Sequence, residues 1–209
     1  EDGAPVNGEL MRPYHESRVV KPAELVDKAI GSPFASFLLR REIVEKLPDY
    51  YVDCPVGDRP LELMAADYGD SYYFDEPMSV YRFGIRGSWT ENQMNGDYVE
   101  KQQKYAADMW KMYHRFDAET GGRFHEACEH AGRRVEFLTA VNTRNFDLIY
   151  RPENADFLQE LSRHDRFFID FEHRFPKLYH GLRRLKSGAP KQLESTKSTE
   201  KQLEEKENV

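Results

Sequence analysis

Apolar positions in this chain change their period several times, and each change marks an element. Residues Glu1 to Val20 hold Gly3, Pro5, Gly8 and Pro13 among polar residues with no sustained period, which reads as loop or short edge strand. Pro22 suits the first helical position of a short helix over Ala23 to Lys28, stopped by Gly31. The run Phe34-Ala35-Ser36-Phe37-Leu38-Leu39, between Pro33 and Arg40-Arg41, has the length of a buried strand. A second short helix is expected over Glu42 to Leu47, ending before Pro48.

Gly57-Asp58-Arg59-Pro60 then opens a helix. Its apolar residues Leu61, Met64, Ala65 and Tyr68 recur at three and four, and Gly69 closes it. Tyr72-Tyr73-Phe74 and Met78 to Phe83 read as two strands parted by Asp75-Glu76-Pro77. From Asp97 the period is helical. Tyr98, Tyr105, Met109, Met112 and Phe116 mark one face, and Phe124, Ala127, Ala131, Val135 and Leu138 mark another beyond Gly121-Gly122. Clusters at Phe157, Leu158 and Leu161, then at Phe167, Phe168, Phe171, Phe175 and Leu178, carry the helical pattern to about Leu185. From Lys186 onward the chain is Lys, Glu, Ser and Thr with almost no large apolar residue, the composition of a disordered tail.

Composition narrows the function classes. An apolar share of 39% is enough for a core, so a wholly disordered chain is excluded. A net charge of -7 offers no chain-wide attraction to nucleic acid, which is therefore not an expected partner. No apolar run approaches the roughly 18 residues of a spanning helix, so no membrane span is expected. Cys54 and Cys128 fit neither a disulfide framework nor a CxxC metal site, and a reducing, cytoplasmic setting suits them. Glu1 is neither an initiator Met nor part of a signal segment, so the numbering is expected to start inside a longer reading frame.

One stretch carries a motif pattern. Pro55-Val56-Gly57-Asp58-Arg59-Pro60-Leu61-Glu62-Leu63 is followed, after a helix, by Asp75-Glu76-Pro77-Met78-Ser79-Val80-Tyr81-Arg82, with Pro33 to Arg40 and Leu47-Pro48 before it and Gly87-Ser88-Trp89-Thr90 after. In order and spacing this resembles the C-terminal, acceptor-side half of family-2 nucleotide-sugar glycosyltransferases, over about Met11 to Glu91. The resemblance implies an α/β fold, a partial GT-A sheet, over residues 1–91, followed by a helical region over 92–185 and a disordered tail over 186–209. It implies a fragment of an inverting glycosyltransferase whose complete form moves a sugar from a nucleotide-sugar donor to a saccharide acceptor. A divalent metal, Mn or Mg, would belong to the complete enzyme, with ligands mostly outside this chain. The donor-binding βαβ unit and its DxD pair are missing, since Asp67-Tyr68-Gly69-Asp70 is one residue too long, and the fragment alone is expected to be inactive.

Four residues follow from the resemblance. Asp58 matches the general base, and an aspartate ionised at neutral pH can take a hydroxyl proton; the same position equally suits a helix N-cap. Arg82 could stabilise a diphosphate and Trp89 stack on a sugar ring, while their ordinary roles are an ion pair and packing. Ser36 lies where relatives border the acceptor, although a serine in such a run more often bonds backbone or water. Gly84 stands where many relatives carry a histidine. His125 and His130 are five apart and cannot share a helical face as zinc-protease histidines do. The contrasting reading is a non-enzymatic helical protein-interaction module with a relic α/β part, its amphipathic helices serving a partner.

Overall fold

The computed structural model describes residues 13–28, 34–80, 85–94 and 96–187. The chain divides into two compact units, Glu1–Gln159 and Glu160–Val209.

The first unit is built on helices. After strand β1 (Arg18–Val20) comes α1 (Pro22–Lys28), opened by its proline, then a 3-10 turn at Phe34–Ser36 and the one-turn α2 (Arg41–Val44). A second 3-10 stretch, Asp49–Asp53, leads to α3 (Asp58–Tyr68), and β2 (Ser71–Tyr73) returns to pair antiparallel with β1, Val19 opposite Tyr72. Next are α4 (Trp89–Met94), α5 (Tyr98–Glu119) and α6 (His125–Thr143), then α7 (Phe146–Ile149), the 3-10 turn Pro152–Asn154 and α8 (Ala155–Glu160).

The hairpin of α5 and α6 forms the spine. Asp97 caps α5 by accepting a hydrogen bond from the Glu100 amide at 3.0 Å. The chain reverses through Gly121 and Gly122, at φ 66° and 79°, where a side chain would strain the backbone. Of the predicted face of α5, Met109, Met112 and Phe116 are buried, joined by Ala106 and Tyr113, while Tyr98 and Tyr105 are only half-buried. Phe116 stacks on Phe124 at 5.4 Å. Val20, Leu25, Val26 and Leu63 complete this core from β1, α1 and α3. The helices approach closely at Gly132, where an added Cβ would lie 2.6 Å from the Trp110 ring, well inside ordinary contact.

One polar device joins three of these helices. Arg59, 4% exposed, contacts Glu62 at 2.7 Å, donates to the Leu25 carbonyl at 2.9 Å and to the Val26 carbonyl, and donates to the Tyr113 hydroxyl at 3.0 Å. The guanidinium thereby caps carbonyls in the last turn of α1, which have no intrahelical partners. Burial works against the Arg59 charge, and Tyr113 and Glu62 outweigh it, holding the guanidinium above its ordinary range. Burial pushes the Glu62 carboxyl up, with Arg59 opposing. The 2.7 Å contact lies in the charge-assisted range, so the two form an ion pair.

The second unit, taken by itself, is a helical hairpin of α9 (Arg163–Arg174) and α10 (Pro176–Ser187). Ser162 caps α9, accepting from the Asp165 amide at 3.0 Å, and Pro176 starts α10.

This architecture overturns the expected partial GT-A sheet. Among the described residues the only sheet is the two-stranded β1–β2 ribbon, and the rest is predominantly helical. A buried strand over Phe34–Leu39 needs neighbouring strands to satisfy its amides. With none beside it, the run turns through a 3-10 step and stands in water, Leu38 being 96% exposed. Met78 to Val80 form no strand; Tyr81 to Phe83, the rest of that expectation, lie outside the described residues, as do 188–209 of the expected tail. A nucleotide-sugar site of the GT-A kind sits in the crevice at the strand ends of an open α/β sheet. Without that sheet the family-2 glycosyltransferase resemblance is not upheld, nor are the inverting transferase activity, the enzyme class, and the nucleotide-sugar donor and saccharide acceptor as partners.

Candidate functional site

Three of the four singled-out side chains can be placed. Asp58 opens α3, and its Oδ1 accepts from the adjacent Arg59 amide at 2.9 Å; the cap position is Gly57, which makes no side-chain cap. Trp89 begins α4, half exposed, and packs edge-on against Tyr105 at 5.7 Å. Asp58 reaches the same tyrosine electrostatically. Burial first, then the charges of Tyr113 and Asp58, push the Tyr105 phenol up to about 12. Asp58 and Trp89 thus share a neighbour. Ser36 is tied instead to Ser79, hydroxyl to hydroxyl at 2.6 Å. Arg82 lies outside the described residues.

The structure also shows what the carboxylates and histidines are used for. Asp67 pairs with Arg123, and Asp70 with Lys21 at 2.6 Å. His125 meets Asp117 at 2.8 Å, while His130 pairs with Asp27 on α1. Among the described residues no group of three or more His, Cys, Asp or Glu side chains could hold a metal ion.

A cleft of about 290 Å³ lies along α5, lined by Tyr50, Asp53, Cys54, Lys104, Asp108, Lys111, Met112 and Arg115. Its charges are matched internally. Hydrogen bonds from Lys104 and Lys111 hold the Asp108 carboxyl below the usual range, and Arg115 meets Asp53 at 3.2 Å. Burial pushes the Cys54 thiol at its wall up to about 11, the wrong direction for a nucleophile.

The feature that stands out is apolar. Loops 34–40 and 74–80 are joined by the Ser36–Ser79 hydrogen bond, and they expose Phe34 (61%), Leu38 (96%), Met78 (58%) and Val80 (82%). Both loops are anchored. Phe37 donates its amide to Phe34 at 3.2 Å, buried Ile43 fixes the following α2, and the Asp75 amide donates to Ser17 at 2.9 Å. Fully burying such a side chain gains about 1.5–3 kcal/mol. Their exposed parts amount to about three such side chains and offer roughly 4–9 kcal/mol, comparable to the roughly 4–15 kcal/mol entropic cost of association, so they suit a weak or moderate interface. Periodicity missed this surface because both runs matched strand composition, and a strand would have buried them. The available signal was Asp75-Glu76-Pro77 in 74–80, whereas 34–40 carries only Ser36 to break its apolar run.

Compared with known proteins, the chain matches no family model, no curated protein sequence and no solved structure. Among the described residues no helix is long and apolar enough to cross a membrane.

Proposed function

We propose that this chain is a helical protein-interaction module that holds a partner protein against the apolar loops 34–40 and 74–80. The observation that carries the reading is the set Phe34, Leu38, Met78 and Val80, large apolar side chains exposed on anchored loops of a helical frame. Large apolar side chains exposed together on an ordered scaffold are what an interaction site presents. Supporting it, the polar groups that could bind small molecules are spent on one another, Asp108 with its lysines and Asp53 with Arg115. A reducing, cytoplasmic setting suits the two free cysteines.

The test uses the double variant Leu38→Asp/Val80→Asp, whose positions are solvent-exposed and so leave the fold intact. A protein captured on the parent from its own cell extract is purified and its affinity measured for both forms by calorimetry. The expected result is a partner of micromolar or better affinity whose binding weakens at least about 30-fold in the variant, for two lost anchors of at least about 1 kcal/mol each. Equal affinity for both forms, or no partner that can be reconstituted, overturns the proposal.

A further inference from the structure

The hairpin of the second unit carries a surface of a different kind. Helix α10 reads Pro-Lys-Leu-Tyr-His-Gly-Leu-Arg-Arg-Leu-Lys-Ser, with four cations and no anion, inside a chain whose net charge is -7. Leu178, Leu182 and Leu185 stand at i, i+4 and i+7, hence on one face, and are 54%, 51% and 81% exposed. Helix α9 packs on another side of α10. Phe171 contacts Tyr179 edge-on at 6.2 Å, and Glu172 meets His180 at 3.7 Å. The leucine face is left to solvent, with Lys177, Arg183 and Arg184 around the helix from it. Two more large apolar side chains of this hairpin, Phe167 and Phe175, are 61% and 50% exposed.

Charge decides what covers such a face. A protein groove that accepted such a helix would have to be acidic as well as apolar. Helix α10 is single-signed in its Lys and Arg, and its leucine stripe runs about 10 Å along the axis. A surface that is negative throughout and apolar just beneath is an anionic bilayer. We propose that α10 is an interfacial anchor that lies in the plane of an anionic lipid surface, Leu178, Leu182 and Leu185 inserted among the acyl chains and its cations at the headgroups. The rest of this acidic chain would be repelled by such a surface, so binding depends on this one basic helix. The loops of the protein-interaction site lie in the other unit, and the two proposals stand or fall separately.

Sedimentation of the full chain with vesicles tests the idea. The probes are phosphatidylcholine vesicles with and without 30% phosphatidylserine, about 0.1 M salt being present. The parent should pellet with the anionic vesicles, not with the neutral ones, and should be released at about 1 M salt, where the screening length falls to about 3 Å. Leu178→Asp/Leu182→Asp should abolish pelleting. Arg183→Gln/Arg184→Gln should weaken it about 30-fold, at about tenfold for each 1.4 kcal/mol and about 1 kcal/mol per cation. Circular dichroism confirms that both variants stay folded. Binding to neutral and anionic vesicles alike, no binding to either, or equal pelleting of the leucine variant overturns the proposal. So does a parent that ignores vesicles but forms dimers by light scattering that the leucine variant loses, which would assign the face to a protein contact.

Discussion

Replacing Arg59 by methionine removes a buried charge while keeping most of the side-chain volume. The parent guanidinium is nearly inaccessible and serves Glu62, two carbonyls of α1 and the Tyr113 hydroxyl at once. Methionine strands all four groups. Breaking a buried ion pair from one side costs about 3–5 kcal/mol, because the surviving charge remains in a low-dielectric site. Against a total stability of about 5–15 kcal/mol this is a large fraction. For a unit of this size about 2–4 °C is lost per kcal/mol, so the melting midpoint should fall by roughly 6–20 °C. Glu62→Gln is the informative companion: it also leaves a buried charge without its counter-charge, but that guanidinium keeps an amide oxygen, both α1 carbonyls and Tyr113 as acceptors, so its cost should fall below that of Arg59→Met. Urea titration of the three proteins, with slopes compared to ensure a common unfolded state, gives both numbers. The reasoning is refuted if Arg59→Met lies within about 1 kcal/mol of the parent, or if Glu62→Gln is as damaging as Arg59→Met.

Two further outcomes follow from burial and pairing. Burial pushes Cys54 up to about 11 and Cys128 up to about 12, so at pH 8 each thiol should react with an aromatic disulfide reagent at least about 10²-fold more slowly than a free cysteine of pKa about 8.5, both reacting fully in denaturant; rapid labelling of Cys54 in the folded protein contradicts this. The hydrogen bond that His125 donates to Asp117 raises the His125 pKa above its ordinary value of about 6.5, so its contribution to stability is complete below about pH 6.5 and is lost as pH rises through the folded-state value. Melting midpoints of the parent minus those of His125→Gln should therefore shrink from pH 6 toward pH 8.5, and a difference that grows over that window contradicts the pairing.

The helices were readable in the sequence because period and punctuation agree there. Pro22, Gly69, Asp97 and the Gly121-Gly122 pair each mark a boundary that the fold uses, and the Met109, Met112, Phe116 stripe is buried as its spacing predicts. On α6 the agreement is looser: Leu138 is 44% exposed, and Phe137 beside it is buried on Phe157. The strands were not readable, because a short apolar run takes its structure from what lies next to it. Tyr72-Tyr73 found β1, whereas Phe34–Leu39 and Met78–Val80 found no ladder. The candidate surface was hidden by the same ambiguity, since a run that composition assigns to the interior is the run that stands in water. Arg59 was hidden for another reason: it lies beside Asp58 in the motif, and apart from Glu62 its partners come from positions 33 to 54 residues away, which no local pattern encodes.

The chain has two tryptophans, Trp89 against Tyr105 and Trp110 pressed on Gly132, and both fall within the first compact unit. Indole emission is therefore a reporter for that unit alone. The hairpin of α9 and α10 contributes ellipticity at 222 nm but no tryptophan signal, so the two optical methods watch different parts of one molecule. Where their unfolding curves superimpose, the units melt together; where the ellipticity falls first, the hairpin has frayed while the spine of α5 and α6 still holds its indole in place.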